Sequence, residues 1–110
     1  MKKFIVFYQA PASAMAKMAE STPEQKEEGM KVWYAWRDSL GDKLIDFGTP
    51  LMQGRRLEPN GSIKDSHSEV TGYSIFNAAS KEEAESLLSS HPHLNWTDGV
   101  ALEVHECIPL

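Results

Sequence analysis

The sequence predicts an α+β fold of the ferredoxin-like type, in which the elements follow the order β-α-β-β-α-β. Three segments carry this prediction: an apolar strand at 4–9, a long capped helix at 23–40, and a strand followed by a capped helix between 72 and 91. We expect both helices to cover one face of a four-stranded antiparallel sheet. With 110 residues, the chain can form a single domain, 1–110, around one modest core.

The first strand, Phe4–Gln9, has apolar residues in both of its alternating sets, so we expect it to be central and covered on both faces. The Ala- and Met-rich segment Ala12–Ser21 is compatible with a short helix or a mobile flap, and its pattern does not decide between them. The helix at 23–40 is predicted to start from a capping box of Thr22 and Gln25.

The middle of the chain combines a short strand with polar loops. Lys43–Phe47 is predicted to be the second strand, and Arg55–Leu57 with Ser62–Lys64 to form a small hairpin. Three candidate metal ligands then alternate along the chain: Asp65, His67 and Glu69. A catalytic zinc usually takes three protein ligands with two or more His, so a solvated loop is favoured over a metal site.

The second helix should present an imidazole to the core. Ser80 and Glu83 have capping-box spacing, and His91 continues the inward face four residues after Leu87. Pro92 is expected to end the helix at His91, where free carbonyls favour the protonated ring. His93 follows the proline, and we expect it at the surface.

The last predicted strand, Val100–Glu106, has two unlike faces. One set of residues is aliphatic and should meet the helices: Val100, Leu102 and Val104. The other set mixes small or apolar residues with ionisable ones: Ala101, Glu103, His105 and Cys107. A sheet face of this kind predicts a partly polar cavity or a subunit interface.

Composition and charge exclude several functions. The net charge is −5 and no run of Lys or Arg follows a helix face, so nucleic acids and anionic membranes are poor candidate partners. A single cysteine, Cys107, cannot form an internal disulfide and suits a reducing compartment, so we expect a cytoplasmic protein. The apolar run at 4–8 is shorter than a secretory leader needs. The sequence has no nucleotide- or phosphate-binding fingerprint, and we expect no cofactor.

Four segments resemble the YCII-related domain family: GDKLIDFGTPL (41–51), GYSIFNAASKEEAESLL (72–88), HPHL (91–94) and LEVHECIP (102–109). The resemblance spans nearly the whole chain in the same order. It implies a homodimeric α+β barrel, in which two ferredoxin-like sheets face each other and enclose clefts. Most members have no assigned activity, and a few relatives are linked to dehydrochlorination or isomerisation of aromatic breakdown products.

The resemblance also implies an active-site pair, a His on the first helix and an Asp just before a Pro after the second. Here the helix 23–40 contains no His, and the residue before Pro92 is His91, so the pair cannot be transferred. Our first candidate is His91 as the catalytic base with Asp46 to orient it, because an Asp inside a strand suits a polar cavity. The alternative is that His91 caps the helix and Asp46 is solvated.

The remaining candidates are expected to bind a ligand. Glu103 and His105 share a strand face and form either a second acid–base pair or a hydrogen-bond network in a dimer interface. Three aromatic residues are expected to shape an apolar pocket: Tyr8, Trp36 and Tyr73. Trp36 and its neighbour Trp33 have a simpler role as core residues, although an indole N–H needs a partner and one of them can line a pocket instead.

Two functions follow from these patterns. The first is a protein that binds a small organic molecule in a cleft at the sheet and dimer interface, with lyase or isomerase chemistry at His91. The second is a non-catalytic binding or accessory homodimer in which the polar residues only join the subunits. A site requires His91 to face a concave pocket with an acid within hydrogen-bond reach. An accessory subunit requires His91 and His105 to be engaged by backbone or cross-dimer bonds.

Overall fold

The structure is a computed structural model that describes all residues from 1 to 110. The strands are β1 (Lys2–Gln9), β2 (Leu44–Asp46), β3 (Arg55–Leu57), β4 (Ile63–Asp65), β5 (Val70–Ala78) and β6 (Ala101–Cys107). The helices are α1 (Ala12–Ala19), α2 (Pro23–Leu40) and α3 (Lys81–Leu88), with short 3-10 turns at Gly41–Lys43 and Pro92–Asn95.

The main sheet has four antiparallel strands in the order β2-β5-β1-β6. Side chains of α2 and α3 pack on one face of this sheet and share a core with β1 and β5. The largest members of this core are Phe4, Tyr8, Trp36 and Phe76. The predicted α+β ferredoxin-like fold is therefore confirmed.

The other face of the sheet carries no helix. Its residues alternate with the core residues along the strands, and we call it the open sheet face: Ile5, Phe7, Asp46, Tyr73, Ile75, Glu103 and His105. The expectation that β1 is covered on both faces is thus wrong for a single chain. Phe7 stands opposite Tyr73 on one side and Glu103 on the other, which places it near the centre of the open sheet face.

The helix ends follow local capping chemistry. The Thr22 hydroxyl accepts the Gln25 amide at 3.1 Å, and the Gln25 side chain accepts the Thr22 amide at 2.9 Å, so the predicted capping box is present. At α3 only half of the predicted box forms, because Ser80 accepts from the Glu83 amide while the Glu83 carboxylate accepts from the Ala79 amide.

Two segments differ from expectation. Ala12–Ala19 is a helix, so of the two alternatives, a short helix or a mobile flap, the first is correct. Only Ala14 on this helix is buried. Helix α3 ends at Leu88, three residues before the predicted end at His91. The cause is local, since Pro92 starts a new 3-10 turn and the His91 amide closes the helix end by donating to the Leu88 carbonyl at 3.0 Å.

The hairpin β3–β4 projects from the body of the protein. It pairs Arg55–Leu57 with Ile63–Asp65, one residue later than predicted on the second strand. Leu57 and Ile63 stand opposite each other and are both exposed. The radius of gyration is 15.4 Å, against about 13 Å for a compact chain of this length. No three His, Cys, Asp or Glu residues are grouped to hold a metal ion, and no helix could cross a bilayer.

Candidate functional site

The structure places the candidate residues on opposite faces of the sheet. Three lie between the sheet and the helices: His91, Tyr8 and Trp36. Four lie on the open sheet face: Asp46, Tyr73, Glu103 and His105. Side chains alternate along a strand, so Tyr73 points away from the face on which its buried neighbour Ser74 lies. The sheet itself therefore separates the two groups.

The pair of His91 and Asp46 is not brought together. One Asp46 carboxylate oxygen accepts the Gly48 amide at 2.8 Å, and the other accepts the Tyr73 hydroxyl at 3.2 Å. Asp46 stands at the end of β2, where it closes the turn into Gly48 and is exposed. The turn and the Tyr73 hydroxyl therefore account for this Asp without a catalytic role.

His91 is enclosed by three aromatic rings, which we call the aromatic box: Tyr8, Trp33 and Trp36. Its ring centroid lies 4.9 Å from that of Tyr8 and 4.5 Å from those of Trp33 and Trp36. The exposed fraction of His91 is 0%. The predicted inward direction of this imidazole is thus what the structure shows. Of the three aromatic residues expected to shape one pocket, Tyr8 and Trp36 lie next to His91, whereas Tyr73 lies on the open sheet face, so the three do not share a pocket.

The two ring nitrogens of His91 differ in their partners. Nδ1 accepts the backbone amide of His93 at 3.0 Å, which caps the 3-10 turn that begins at Pro92. Nε2 is buried and has no hydrogen-bond partner. Buried polar atoms are nearly always paired, so an isolated one calls for an explanation. No carboxylate lies within hydrogen-bond reach of either nitrogen.

The prediction that the His91 ring is protonated is wrong. Burial, and to a smaller extent the charge of His93, lower the pKa of His91 from 6.5 to about 3. The carbonyls at the end of α3 do not raise this pKa in return, because the Leu88 carbonyl already accepts the backbone amide of His91. A neutral imidazole is therefore the form present near neutral pH.

His93 is buried, with 3% of its surface exposed, so its expected surface position is also wrong. Its Nε2 bonds to the Gln9 carbonyl at 2.7 Å and ties the 3-10 turn to the end of β1. The pKa of His93 is lowered by burial, and hydrogen bonds to the carbonyls of Gln9 and Ala101 offset part of this effect. This histidine holds the segment that carries His91 against the sheet.

The walls of the aromatic box are held in different ways. The Trp36 indole donates to the Leu87 carbonyl at 3.1 Å. The Tyr8 hydroxyl donates to Ser74 at 2.7 Å, because the Ser74 hydroxyl itself donates to the Phe47 carbonyl at 2.6 Å. Trp33 is half-buried and forms no side-chain hydrogen bond; it packs by ring contacts alone.

A cleft of about 400 Å³ lies beside the aromatic box, between α2 and the segment from Ser90 to Asn95. Its lining includes Trp36, which packs on His91, and Pro92, which follows it. The polar groups at its rim are Ser39, Ser90 and Asn95. A shallower apolar cleft of about 210 Å³ lies between α3 and β6.

The polar groups of the open sheet face are paired with one another. Nε2 of His105 lies 2.6 Å from a carboxylate oxygen of Glu103, and the Phe7 ring meets His105 edge to face at 6.1 Å. The bond to Asp46 raises the pKa of Tyr73. The predicted Glu103 and His105 pair is therefore formed within one chain, at an exposed position.

The sequence patterns did not predict the part that two residues play in this site. Trp33 was expected mainly as a core residue, with lining a pocket as the alternative; it packs against the core, is half-buried and forms one wall of the aromatic box. Ser74 was not singled out, although it shares the inward face of β5 with Phe76 and is fully buried. A hydroxyl on an otherwise apolar inward face was the signal that could have found it.

The comparisons with known proteins bear on the fold. A scan against protein families finds no match, and a search of curated proteins finds none either. Among solved structures, the chain is similar to 5-chloro-2-hydroxyhydroquinone dehydrochlorinase (TftG) from Burkholderia phenoliruptrix AC1100, in complex with 2,5-dihydroxybenzoquinone. The TM-score is 0.53 and the identity 17%, over 94% of this chain and 91% of the other. This likeness shows a related fold.

Proposed function

We propose that this chain is a YCII-related protein that forms a homodimer and binds a small organic molecule in the aromatic box. The observation that carries the proposal is the buried Nε2 of His91, which has no partner in the folded chain. A buried polar group without a partner costs about 1–3 kcal/mol. A bound molecule that pairs with Nε2 removes this cost, and that gain contributes to its affinity.

The aromatic box is favoured over the open sheet face as the ligand site. On the open sheet face Asp46 is paired with Tyr73 and Glu103 with His105, so no buried group there lacks a partner. The aromatic box is closed in the free chain, because His91 is fully buried, and a cleft lined by Trp36 and Pro92 lies beside it. Ligand pockets typically combine aromatic walls with a few polar groups, as this one does.

The open sheet face is assigned to the second subunit. Its centre is apolar, with half-buried Ile5, Phe7 and Ile75 and no helix above them. An apolar sheet face needs a second layer, and a second copy of the chain supplies one. The dimer interface and the aromatic box then lie on opposite sides of the sheet, in place of the shared cleft expected from the sequence.

The proposal concerns binding, since the aromatic box lacks a group suited to take up a proton. Burial raises the pKa of Tyr8 to about 12 and lowers that of His91 to about 3. A lyase or isomerase step would need a base from the ligand or from another part of the protein. The quinone in the similar dehydrochlorinase complex supports an oxygenated ring as the first class of compound to test.

The second candidate is a non-catalytic accessory homodimer, and one observation favours it. Nδ1 of His91 is engaged by the backbone amide of His93, as this function requires, whereas His105 is engaged by the Glu103 side chain of the same chain. In that case His91 serves only as the cap of the 3-10 turn. The two functions differ in whether any compound reaches His91.

A thermal-shift screen tests the proposal. Oxygenated monocyclic and bicyclic compounds are added to the wild-type protein, to His91→Ala and to His67→Gln, which changes an exposed histidine in a loop. A compound that binds the folded state raises the melting temperature. We expect hits that stabilise the wild type and His67→Gln but not His91→Ala. Hits that stabilise all three equally, or no hits at all, would support the accessory function.

A further inference from the structure

The hydrogen bonds of His91 determine which ring nitrogen carries the proton. Nδ1 accepts the amide hydrogen of His93, so it presents a lone pair and cannot carry a hydrogen. A neutral imidazole has one N–H, which must then be on Nε2. The unpaired atom is therefore specifically a donor, buried among aromatic rings with no acceptor.

We propose that the aromatic box binds an oxygen acceptor of a planar conjugated molecule, a carbonyl, enolate or phenolate oxygen, with the Nε2–H of His91 as the donor. The inference rests on the proposed function and adds the chemical class of the ligand. It also reverses the role expected from the sequence, because His91 acts as a hydrogen-bond donor where a base was predicted.

The other groups of the aromatic box favour the same class of ligand. The Tyr8 hydroxyl donates to Ser74 and the Trp36 indole donates to the Leu87 carbonyl. The Trp33 indole N–H has no protein partner but belongs to a half-buried residue, so Nε2–H is the one buried donor of the box without a partner. No carboxylate lies in the box to pair with an ammonium group. Flat rings stack or meet edge to face with aromatic walls, which favours a planar conjugated body over a branched aliphatic one.

The ligand would enter on the Trp33 side. Trp36 is fixed by its hydrogen bond to Leu87, whereas Trp33 is half-buried and has no hydrogen bond to break. In the free protein the plane of Trp33 stands at 83° to that of His91 with centroids 4.5 Å apart. An N–H directed at an aromatic ring gains a weak interaction, which a charged or carbonyl oxygen exceeds.

Two substitutions of His91 separate its two nitrogens. His91→Gln can place an amide N–H near the position of Nε2, while His91→Asn can place a carbonyl near Nδ1 and so keep the cap on His93. Calorimetric titration uses 2,5-dihydroxybenzoquinone as the probe and 1,4-diaminobenzene as a ring of similar shape without oxygen. Circular dichroism and melting curves establish that both variants are folded.

We expect the quinone to bind the wild type and His91→Gln with similar affinity, and His91→Asn about ten- to a hundred-fold more weakly, as for loss of a bond to a charged acceptor. The diamine should not compete. Equal binding by His91→Asn, or tight binding of the diamine, would overturn the inference. If either variant is unfolded, the donor role of Nε2 is decided by NMR of the wild-type protein.

Nitrogen NMR of the free protein gives a readout that needs no ligand. Long-range ¹H–¹⁵N spectra should show His91 as the Nε2–H tautomer between pH 5 and 8. A proton on Nδ1, or an imidazolium ion at pH 6, contradicts the donor assignment even if compounds still bind in a His91-dependent way, which would leave the proposed function standing. Absence of binding by any oxygenated ring contradicts both.

Discussion

Trp33 and His91 meet edge to face with ring centroids 4.5 Å apart, and ring packing alone holds Trp33 in this position. Trp36 lies at the same distance from His91, yet its indole is tied to the Leu87 carbonyl. One wall of the aromatic box is thus anchored to the C-terminal part of α3, and the other is held by ring contacts alone. We therefore expect Trp36 to contribute to the stability of the fold and Trp33 to control access to His91.

The two tryptophans should differ when each is changed to Phe. Trp36→Phe leaves the Leu87 carbonyl without its donor, which costs about 1–3 kcal/mol, in addition to lost packing. Trp33→Phe loses packing only. Urea unfolding should therefore give a free energy of unfolding for Trp36→Phe that is lower by at least about 1 kcal/mol. Equal values for the two variants would show that the indole bond to Leu87 does not stabilise the fold.

Ser74 links Tyr8 to the Phe47 carbonyl and is fully buried. Ser74→Ala removes an acceptor from Tyr8 and a donor from Phe47, so we expect a loss of about 2–4 kcal/mol in the free energy of unfolding. Ser13→Ala on exposed α1 is the matched control and should change it by less than about 0.5 kcal/mol. A loss at Ser74 no larger than that of the control would mean that water replaces both bonds.

Acid should destabilise the folded protein through His91. The unfolded chain binds a proton at this residue near pH 6.5, whereas the folded chain does so only near pH 3. The unfolded state is therefore favoured as pH falls from 6.5 towards 3, by up to about 1.4 kcal/mol per pH unit. His93, whose pKa is also lowered by burial, acts in the same direction.

Urea unfolding at pH 7, 6 and 5 measures this effect while most carboxylates stay ionised. Between pH 6 and pH 5 we expect the wild type to lose about 1 kcal/mol more than His91→Asn. His67→Gln should keep the wild-type dependence, because His67 is exposed. Parallel pH dependence in all three proteins would mean that His91 titrates normally in the folded state.

Local patterns predicted most of the fold. The capping box at Thr22, the periodicity up to Leu40 and the alternation on the last strand correspond to α2 and β6, because each depends on residues close in sequence. The inward direction of His91 was predicted for the same reason. Its charge was not, because the burial that lowers its pKa comes from Tyr8, Trp33 and Trp36, which are distant in the chain.

The pairing of His91 with Asp46 could not be tested from the sequence alone. Both residue types suit acid–base chemistry, but which face Asp46 occupies depends on the register of β2 against β5. A register irregularity between Leu44 and Asp46 places the carboxylate beside Tyr73 on the open sheet face. The side-chain period in a strand is two, so one residue of shift changes the face.

Phe7→Lys tests whether a second subunit covers the open sheet face. The substitution places a charge near the centre of an apolar surface, so it should weaken dimerisation by about a hundred-fold or more if that surface is buried between subunits. Met30→Lys, on the outer side of α2, is the control. Sedimentation velocity should show dimers for the wild type and the control and monomers for Phe7→Lys. A monomeric wild type at micromolar concentration would refute the dimer.

The most direct measurement of the central claim is the Nε2–H signal of His91 during titration with 2,5-dihydroxybenzoquinone. We predict that its proton resonance moves downfield as the quinone saturates the protein, while the Nδ1 resonance stays that of an acceptor bonded to His93. A bound quinone that leaves the Nε2–H resonance unchanged would show that the compound binds elsewhere and would contradict the account.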